Sequence, residues 1–383
     1  MHDPIHDPVA PGIAARAAIL GHTGRGDFGH GLDTAAAGLP NVSVVAVSDP
    51  DEAGRRKAQQ RSGAIRAYAD FQELLRQERP DLVIVAPSWL DQRVEMISAA
   101  IAAGARAIYC EKPLSRCLEE ADRIVAACTH SGALLSVAHQ NRVFPAPALA
   151  LRLLREGRIG SLRMVRLSTK NDSRGGALEH LIHGTHLFDL LRTFAGEARW
   201  CDGRVGDHGH DAQRSDIYDG PMGAGPLCGD DIVGLYGFDH GVLAEAQSMR
   251  GDDGGGAQYL HWQLWGTGGT LTFWSDLKSP VYLSKRPYLL PTPDPDLTII
   301  QPEIPPHLLP AQGWNALERA NQALVADLLS AVREERPPLA SGNDARAAVE
   351  MIQSAVAAHF AGRRLSLPLV ERAHPLAGRA SPG

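Results

Sequence analysis

A basic surplus is missing from this chain. Its 383 residues carry 38 Lys and Arg against 44 Asp and Glu, a formal charge of −6. Nucleic-acid binding, which usually needs a basic face, is not expected. Apolar runs long enough to span a bilayer are also missing, so no membrane partner is expected. The opening residues, Met1 to Pro8, lack the basic and apolar regions of a signal peptide. Cysteine is sparse: Cys110, Cys117, Cys128, Cys201 and Cys228 are scattered, odd in number and form no CxxC pair. That argues against a disulfide framework or a cysteine zinc site, and a reducing cytoplasm is the expected location. No internal repeat is visible.

What is present is an alternation of apolar strands and helices from Arg16 to about Phe144. Ala17–Leu20, Val42–Val47 and Asp81–Ala86 read as strands. Helices are expected after the first strand, near Glu52–Arg61 and near Gln92–Ala103. Continuous apolar strands alternating with helices predict a parallel sheet covered on both faces. After Pro145 the pattern changes. A helix near 146–156 leads into the strand Leu162–Ser168, and a second helix is expected over about 177–194. Strands with alternating polarity follow at 232–238, 242–249, 259–265 and 270–274, as in a half-exposed antiparallel sheet. A glycine turn at 251–256 and a proline-rich loop at 286–311 precede two last helices, near 314–334 and 343–360. The expected organisation is a doubly wound α/β domain at 15–145 and a second α/β domain at 146–370. Tails are expected at 1–14 and 371–383.

Three features carry chemistry. The first is Leu20-Gly-His-Thr-Gly-Arg-Gly-Asp-Phe-Gly29, directly after the first strand. Glycines here allow backbone amides to approach a pyrophosphate. Gly24-x-Gly26-x-x-Gly29 matches the dinucleotide spacing literally, whereas Gly21-x-Thr23-x-x-Gly26 follows the strand end more closely. Arg25 lies within the same loop. Asp49 ends the second strand, about 20 residues on, where an acid would hold ribose hydroxyls. Its charge would repel a 2′-phosphate and so favour NAD over NADP, although Arg55 and Arg56 lie close enough to soften that preference. Asp49 is equally placed to cap the next helix.

The second feature is Glu111-Lys112-Pro113, just past the apolar segment Ala105–Cys110. A lysine at a strand's carboxyl end sits where open α/β sheets bind ligands, and the proline stiffens its turn. The third is His180-Leu-Ile-His-Gly-Thr-His-Leu-Phe-Asp189. On one continuous helix His180, His183 and His186 would share a side, with Asp189 a turn beyond. Three histidines beside Glu179 raise the possibility of a metal. The spacing in threes departs from the i, i+4 pattern of metalloprotease helices, so no metal is expected. Trp89, Trp262, Trp265 and Trp274 could stack on sugar rings, but strand tryptophans are usually core.

Taken in order, these elements resemble the glucose–fructose oxidoreductase / inositol dehydrogenase / MocA (Gfo/Idh/MocA) family. The likeness rests on Gly21–Gly26, Asp49, Glu111-Lys112-Pro113 and Gly184-Thr-His-Leu-Phe-Asp189. His139-Gln-Asn-Arg142 and Ala361-Gly-Arg-Arg-Leu-Ser-Leu-Pro368 support it, and it extends over about residues 15–370. The resemblance implies a Rossmann domain, a second domain with a large open sheet, and dimers or tetramers formed through that sheet. It also implies nicotinamide-dependent oxidation of a sugar, sugar derivative or cyclitol. Gly21, Thr23, Gly24, Arg25, Gly26, Asp49, Pro87 and Glu111 would then hold the cofactor. Lys112 would exchange the hydroxyl proton, helped by His186, with burial and the nicotinamide charge lowering the lysine pKa. His139, Arg142, Lys170, Asn171, His183 and Asp189 would meet substrate hydroxyls.

Two departures stand out. Ile182 occupies the place of the family's usual Asp four residues before His186, so His183 is expected to compensate. Ser88 and Asp91 replace the usual Asn and His after Ala86. A redox-neutral enzyme that retains NAD and eliminates an aglycone, and a sensor without turnover, are the competing classes.

Overall fold

The computed structural model describes residues 15–251, 260–286, 296–310 and 313–377. Expectations for residues 1–14, most of the 251–256 turn, much of the 286–311 loop and the end of the C-terminal tail lie outside them. In chain order the elements begin β1 (Ala15–Leu20), β2 (Val42–Ser48), α1 (Glu52–Ser62), β3 (Arg66–Tyr68) and α2 (Phe71–Glu78). Next come β4 (Leu82–Val85), α3 (Arg93–Ala102), β5 (Ala107–Cys110), α4 (Leu118–Ser131), β6 (Leu134–Val137) and α5 (Pro145–Arg155). The chain continues through β7 (Leu162–Ser168), α6 (Gly176–Ile182), α7 (Gly184–Ala195), β8 (Trp200–Asp207), β9 (His210–Asp211), β10 (Tyr218–Gly220) and β11 (Gly225–Leu227). It then runs β12 (Asp231–Gly237), β13 (Leu243–Met249), β14 (His261–Gly266), β15 (Thr270–Trp274), β16 (Val281–Ser284) and β17 (Leu297–Ile300). Last are α8 (Ala316–Glu334), α9 (Gly342–Ala361) and β18 (Leu365–Ser366).

Two compact units emerge. The first comprises the described residues of Met1–Leu114, Asp122–Ala138 and His307–Gly342; the second comprises those of Ser115–Ala121, His139–Pro306 and Asn343–Gly383. A single cut at 145/146 does not reproduce this division, because α8 groups with the first unit. Its side chains explain why. Asn321 Nδ2 donates to the His30 carbonyl at 3.0 Å, and Gln322 Nε2 donates to the carbonyls of Thr34 and Ala37 at 3.2 and 3.1 Å. Tyr109 of β5 donates to Asn321 Oδ1 at 2.7 Å.

In the first unit six parallel strands pair in the order β3-β2-β1-β4-β5-β6. β4 and β5 are buried along their whole length, as a sheet covered on both faces requires. The order reverses at β1, so the carboxyl ends of β1 and β4 flank the crevice where such sheets take ligands. The second unit is built on a large mixed sheet, ordered β17-β16-β15-β14-β7-β13-β12-β8-β18, with β9 paired to β8. Among the described residues only β7–β13 is parallel in it; the other pairs are antiparallel. Trp262 is fully buried there, stacked on Phe273 at 5.9 Å, so it is a core residue and not a sugar platform.

Candidate active site

The glycine loop leaves β1 at Gly21 and does not run into a regular α-helix. Residues 23–38 form turns with one 3-10 turn at Leu32–Thr34. The expected helix fails because Gly24, Gly26, Gly29 and Gly31 all adopt positive φ, outside helical space. At Gly26 a Cβ would fall 2.5 Å from the Ser88 backbone nitrogen, so only glycine lets the loop press onto the segment after β4. Arg25 strengthens that contact. It pairs with Asp91, and its guanidinium lies 4.7 Å from the Trp89 ring centroid. Asp91, an odd residue by family pattern, therefore has a job in holding the loop. Pro87 is buried at the start of that segment.

Asp49 is occupied differently from expectation. Its carboxylate is fully buried and accepts from the Thr23 backbone N–H at 3.0 Å and the Thr23 hydroxyl at 2.7 Å. It also accepts from the Asp51 N–H at 2.9 Å. Asp49 thus pins the glycine loop. The helix-cap role falls to Asp51, which accepts from Gly54 N–H at 2.7 Å. Arg55 donates to the Asp49 and Pro50 carbonyls, and Arg56 pairs with Glu52. A cavity of about 430 Å³ lies beside the loop, walled by Thr23, Gly29, Asp51, Gly54 and Lys57 among others.

At the carboxyl end of β5, Glu111 and Lys112 are both buried, and the Lys112–Pro113 bond is cis. Glu111 Oε1 lies 2.6 Å from His30 Nδ1, a partner the sequence reading missed. Burial opposes ionisation of Glu111, but His30 and Lys112 together more than offset it and hold the carboxyl below its usual range. The other oxygen, Oε2, is buried without a hydrogen-bond partner. A buried carboxylate oxygen left open beside a dinucleotide loop suits a donor on a ligand. The first unit therefore fits the nicotinamide cofactor through its loop backbone, its cavity and Glu111.

The second unit gathers the remaining polar residues, but into two separate groups. In one, Arg142 clasps Asp189 in a bidentate pair, Nε to Oδ2 at 2.7 Å and Nη2 to Oδ1 at 2.8 Å. His139 Nδ1 lies 3.2 Å from Asp189 Oδ1, and His139 Nε2 lies 2.9 Å from the Thr185 hydroxyl. The His186 ring meets the edge of His139 at 5.5 Å between centroids. Burial would raise the Asp189 pKa, but Arg142 and His139 reverse this and hold it well below the usual range. Asp189 and Arg142 are therefore committed to each other and position His139 beside His186.

The other group is built on a break in the helix. α6 ends at Ile182 and α7 starts at Gly184, with His183 between them at φ −109° and ψ −32°. The break removes the shared face expected for the three histidines. His183 Nδ1 lies 2.7 Å from Glu179 Oε1, and Glu179 is fully buried. Glu179 Oε2 also accepts from the Lys170 backbone N–H at 3.3 Å. Asn171 Nδ2 donates to Ser168 Oγ, and its Oδ1 accepts from Met249 N–H. The i, i+4 spacing of Glu179 and His183 was the signal that could have revealed this pair.

His180 turns away from both groups and packs edge-on against Phe188 at 5.3 Å. Burial pushes its pKa down to about 4, and burial does the same to His374, which lines the same narrow pocket. Unfolded histidines charge near pH 6.5, so between about pH 6.5 and 4 the unfolded chain binds more protons. Stability is therefore expected to fall as pH drops through that window, with His180 alone contributing on the order of 3 kcal/mol by its lower end. Urea midpoints at pH 7 and pH 5 should differ less in His180→Gln than in the wild type. An equal difference would assign the acid sensitivity to other groups.

Among the described residues, no helix is long and apolar enough to cross a membrane. None of the five cysteines is disulfide-bonded. Residues 16–139 match the family described as "Oxidoreductase family, NAD-binding Rossmann fold". Levoglucosan dehydrogenase of Pseudarthrobacter phenanthrenivorans is 25% identical over 264 residues, covering 62% of this chain and 66% of that protein. An inositol 2-dehydrogenase of Klebsiella pneumoniae is 34% identical over 139 residues, covering 36% of this chain and 41% of that protein. The chain thus spans less than two thirds of the length of these relatives. Among solved structures, levoglucosan dehydrogenase in complex with NADH and L-sorbose superposes with a TM-score of 0.72 at 19% identity, covering 93% of this chain and 99% of that one. The parallel sheet, the glycine loop and these likenesses agree: residues 16–139 match that oxidoreductase family, and the first unit is an NAD-binding Rossmann domain.

Proposed function

We propose that the chain is an NAD-dependent dehydrogenase oxidising a secondary alcohol of a sugar, sugar derivative or cyclitol. The observation that carries this reading is Lys112, buried at the carboxyl end of β5 beside the ionised Glu111. Relatives named levoglucosan and inositol dehydrogenases support the substrate class. When bound, the nicotinamide supplies the hydride acceptor. The chain's own residues do the rest. The loop from Gly21 to Gly29 offers backbone amides to the pyrophosphate, kept in shape by the Thr23–Asp49 bonds. Glu111 Oε2 is placed to take a donor from the bound nucleotide. Lys112 Nζ takes the hydroxyl proton in oxidation and returns it in reduction. His186, backed by His139, is the second residue proposed to handle the proton. The open sheet of that unit is proposed as the surface through which copies associate, and the five free cysteines suit a reducing, cytoplasmic setting.

Absorbance at 340 nm with NAD and NADP over a panel of sugars, glycosides and inositols tests the reading. NADH production with at least one secondary alcohol is expected. NAD retained through purification with glycoside cleavage but no net NADH would replace it with the redox-neutral class. Nucleotide binding with no turnover of any kind would favour a sensor.

A further inference from the structure

We infer that His30 is a positioning residue for the proton step: through Glu111 it ties the seating of the glycine loop to the strength of Lys112 as a base. This rests on the dehydrogenase reading above and deepens it. The loop and the end of β5 meet closely here. Gly29 has φ +56°, and a Cβ on it would fall 2.7 Å from the Ala86 carbonyl oxygen and 2.9 Å from Glu111 Cδ. His30 follows directly and brings Nδ1 to 2.6 Å from Glu111 Oε1. The carboxylate is fully buried, whereas 40% of the His30 side chain is open. An ionised carboxylate can only accept, so His30 carries a proton on Nδ1 whether the ring is neutral or charged. The backbone of His30 is fastened too. Tyr109 of β5 donates to Asn321, and Asn321 donates to the His30 carbonyl. These bonds close a ring from β5 through α8 and the glycine loop back to the end of β5.

The charged groups acting on Glu111 are His30 from the loop, Lys112 beside it and Arg93 from α3. Tyr109 and Cys110 also lie near, but burial pushes both up and keeps them neutral. Burial opposes the Glu111 charge, and His30 is the largest of the groups that offset it, ahead of Lys112 and Arg93. With the loop in place, Lys112 therefore has an anion for a neighbour. That anion stabilises the ammonium form, so the amine is a stronger base. If the loop lifts, the buried carboxylate loses its hydrogen bond and takes up a proton more readily. Lys112 is then left beside a neutral acid and holds a proton less firmly. A nucleotide bound on the loop's amides keeps the loop against Glu111. Base strength is thus greatest when the hydride acceptor is present.

His30→Leu and His30→Asn test this together. Leucine removes the donor, whereas the asparagine amide nitrogen falls near the place of Nδ1 and can still donate to Oε1. The oxidation rate, read as NADH from whichever alcohol of the panel reacts, should rise with pH as Lys112 sheds its proton. In His30→Leu that rise should move to lower pH, and its plateau should fall about 10–100-fold, a fraction of what a positioned base supplies. His30→Asn should restore most of both. NADH affinity would be followed by fluorescence. Weaker NADH binding with the rise unmoved would make His30 a support for the loop alone and overturn the proposal. Should His30→Leu fail to fold, Glu111→Gln takes its place: it removes the anion, and an unmoved rise there is equally fatal. Carbon-13 NMR of protein labelled at its glutamate carboxyls needs no substrate, and Glu111→Gln assigns the signal. Glu111 should take up its proton at higher pH in His30→Leu than in the wild type. An unchanged titration would overturn the coupling whether or not a polyol is turned over, whereas a shifted titration with no turnover would count against the dehydrogenase reading instead.

Discussion

Replacing Lys112 with methionine is expected to lower kcat by about 10²–10⁴-fold, the usual worth of a positioned acid–base group. Methionine keeps most of the buried stem and removes only the amine. NADH affinity, followed by nucleotide fluorescence, should stay near the wild-type value, because the loop Gly21–Gly29 and Glu111 are untouched. The two readouts separate a chemical role from a structural one. His30, 2.6 Å from Glu111, still holds that carboxyl down once Lys112 is gone, so a loss of kcat with NADH affinity kept marks a chemical role, and a parallel loss of both marks a lysine that only supported Glu111. Less than about a tenfold loss of kcat would sink the assignment of the proton to Lys112.

The second large effect belongs to stability. Arg142→Ala should leave Asp189 fully buried with only His139 beside it. Removing one partner of a buried ion pair typically costs about 3–5 kcal/mol. The urea midpoint of the second unit should fall accordingly, along with activity, because His139 and His186 lose their support. The double variant Arg142→Met with Asp189→Leu provides the control. Removing both charges leaves no unpaired buried carboxylate, so much of the stability should return, while activity does not because His139 Nδ1 has lost its Asp189 contact. If Arg142→Ala unfolds at the wild-type midpoint, the pair is not the anchor that its geometry indicates.

Much of this molecule was legible in its sequence because hydrophobic period is a local property. β7 and β15 fall at their expected bounds, and α1, α3, α5 and α9 fall within a residue or two. The Rossmann sheet and the mixed sheet follow from continuous versus alternating apolar patterns. The site was less legible, because occupancy depends on what lies across space. Nothing local says that Asp49 will spend its oxygens on Thr23, or that Asp189 will be saturated by Arg142. The helix break at His183 was hidden for a related reason. Residues 177–194 keep a helical composition throughout, and the interruption shows only in the backbone of one residue. Glu179 was visible, but its spacing to His183 was weighed only against a metal. His30 lay in plain view within the glycine loop, and no sequence rule links it to an acid 81 residues later.

The placement of α8 has a bearing on how the protein is made. The first unit takes most of its residues from before 139 and then adds His307–Gly342. On the ribosome, the early sheet therefore waits for a helix encoded roughly 200 residues later, about 10–40 s at ordinary elongation rates. Throughout that interval Tyr109 and the backbone around His30 lack the bonds that Asn321 will supply. The nucleotide-binding half is begun first and finished almost last.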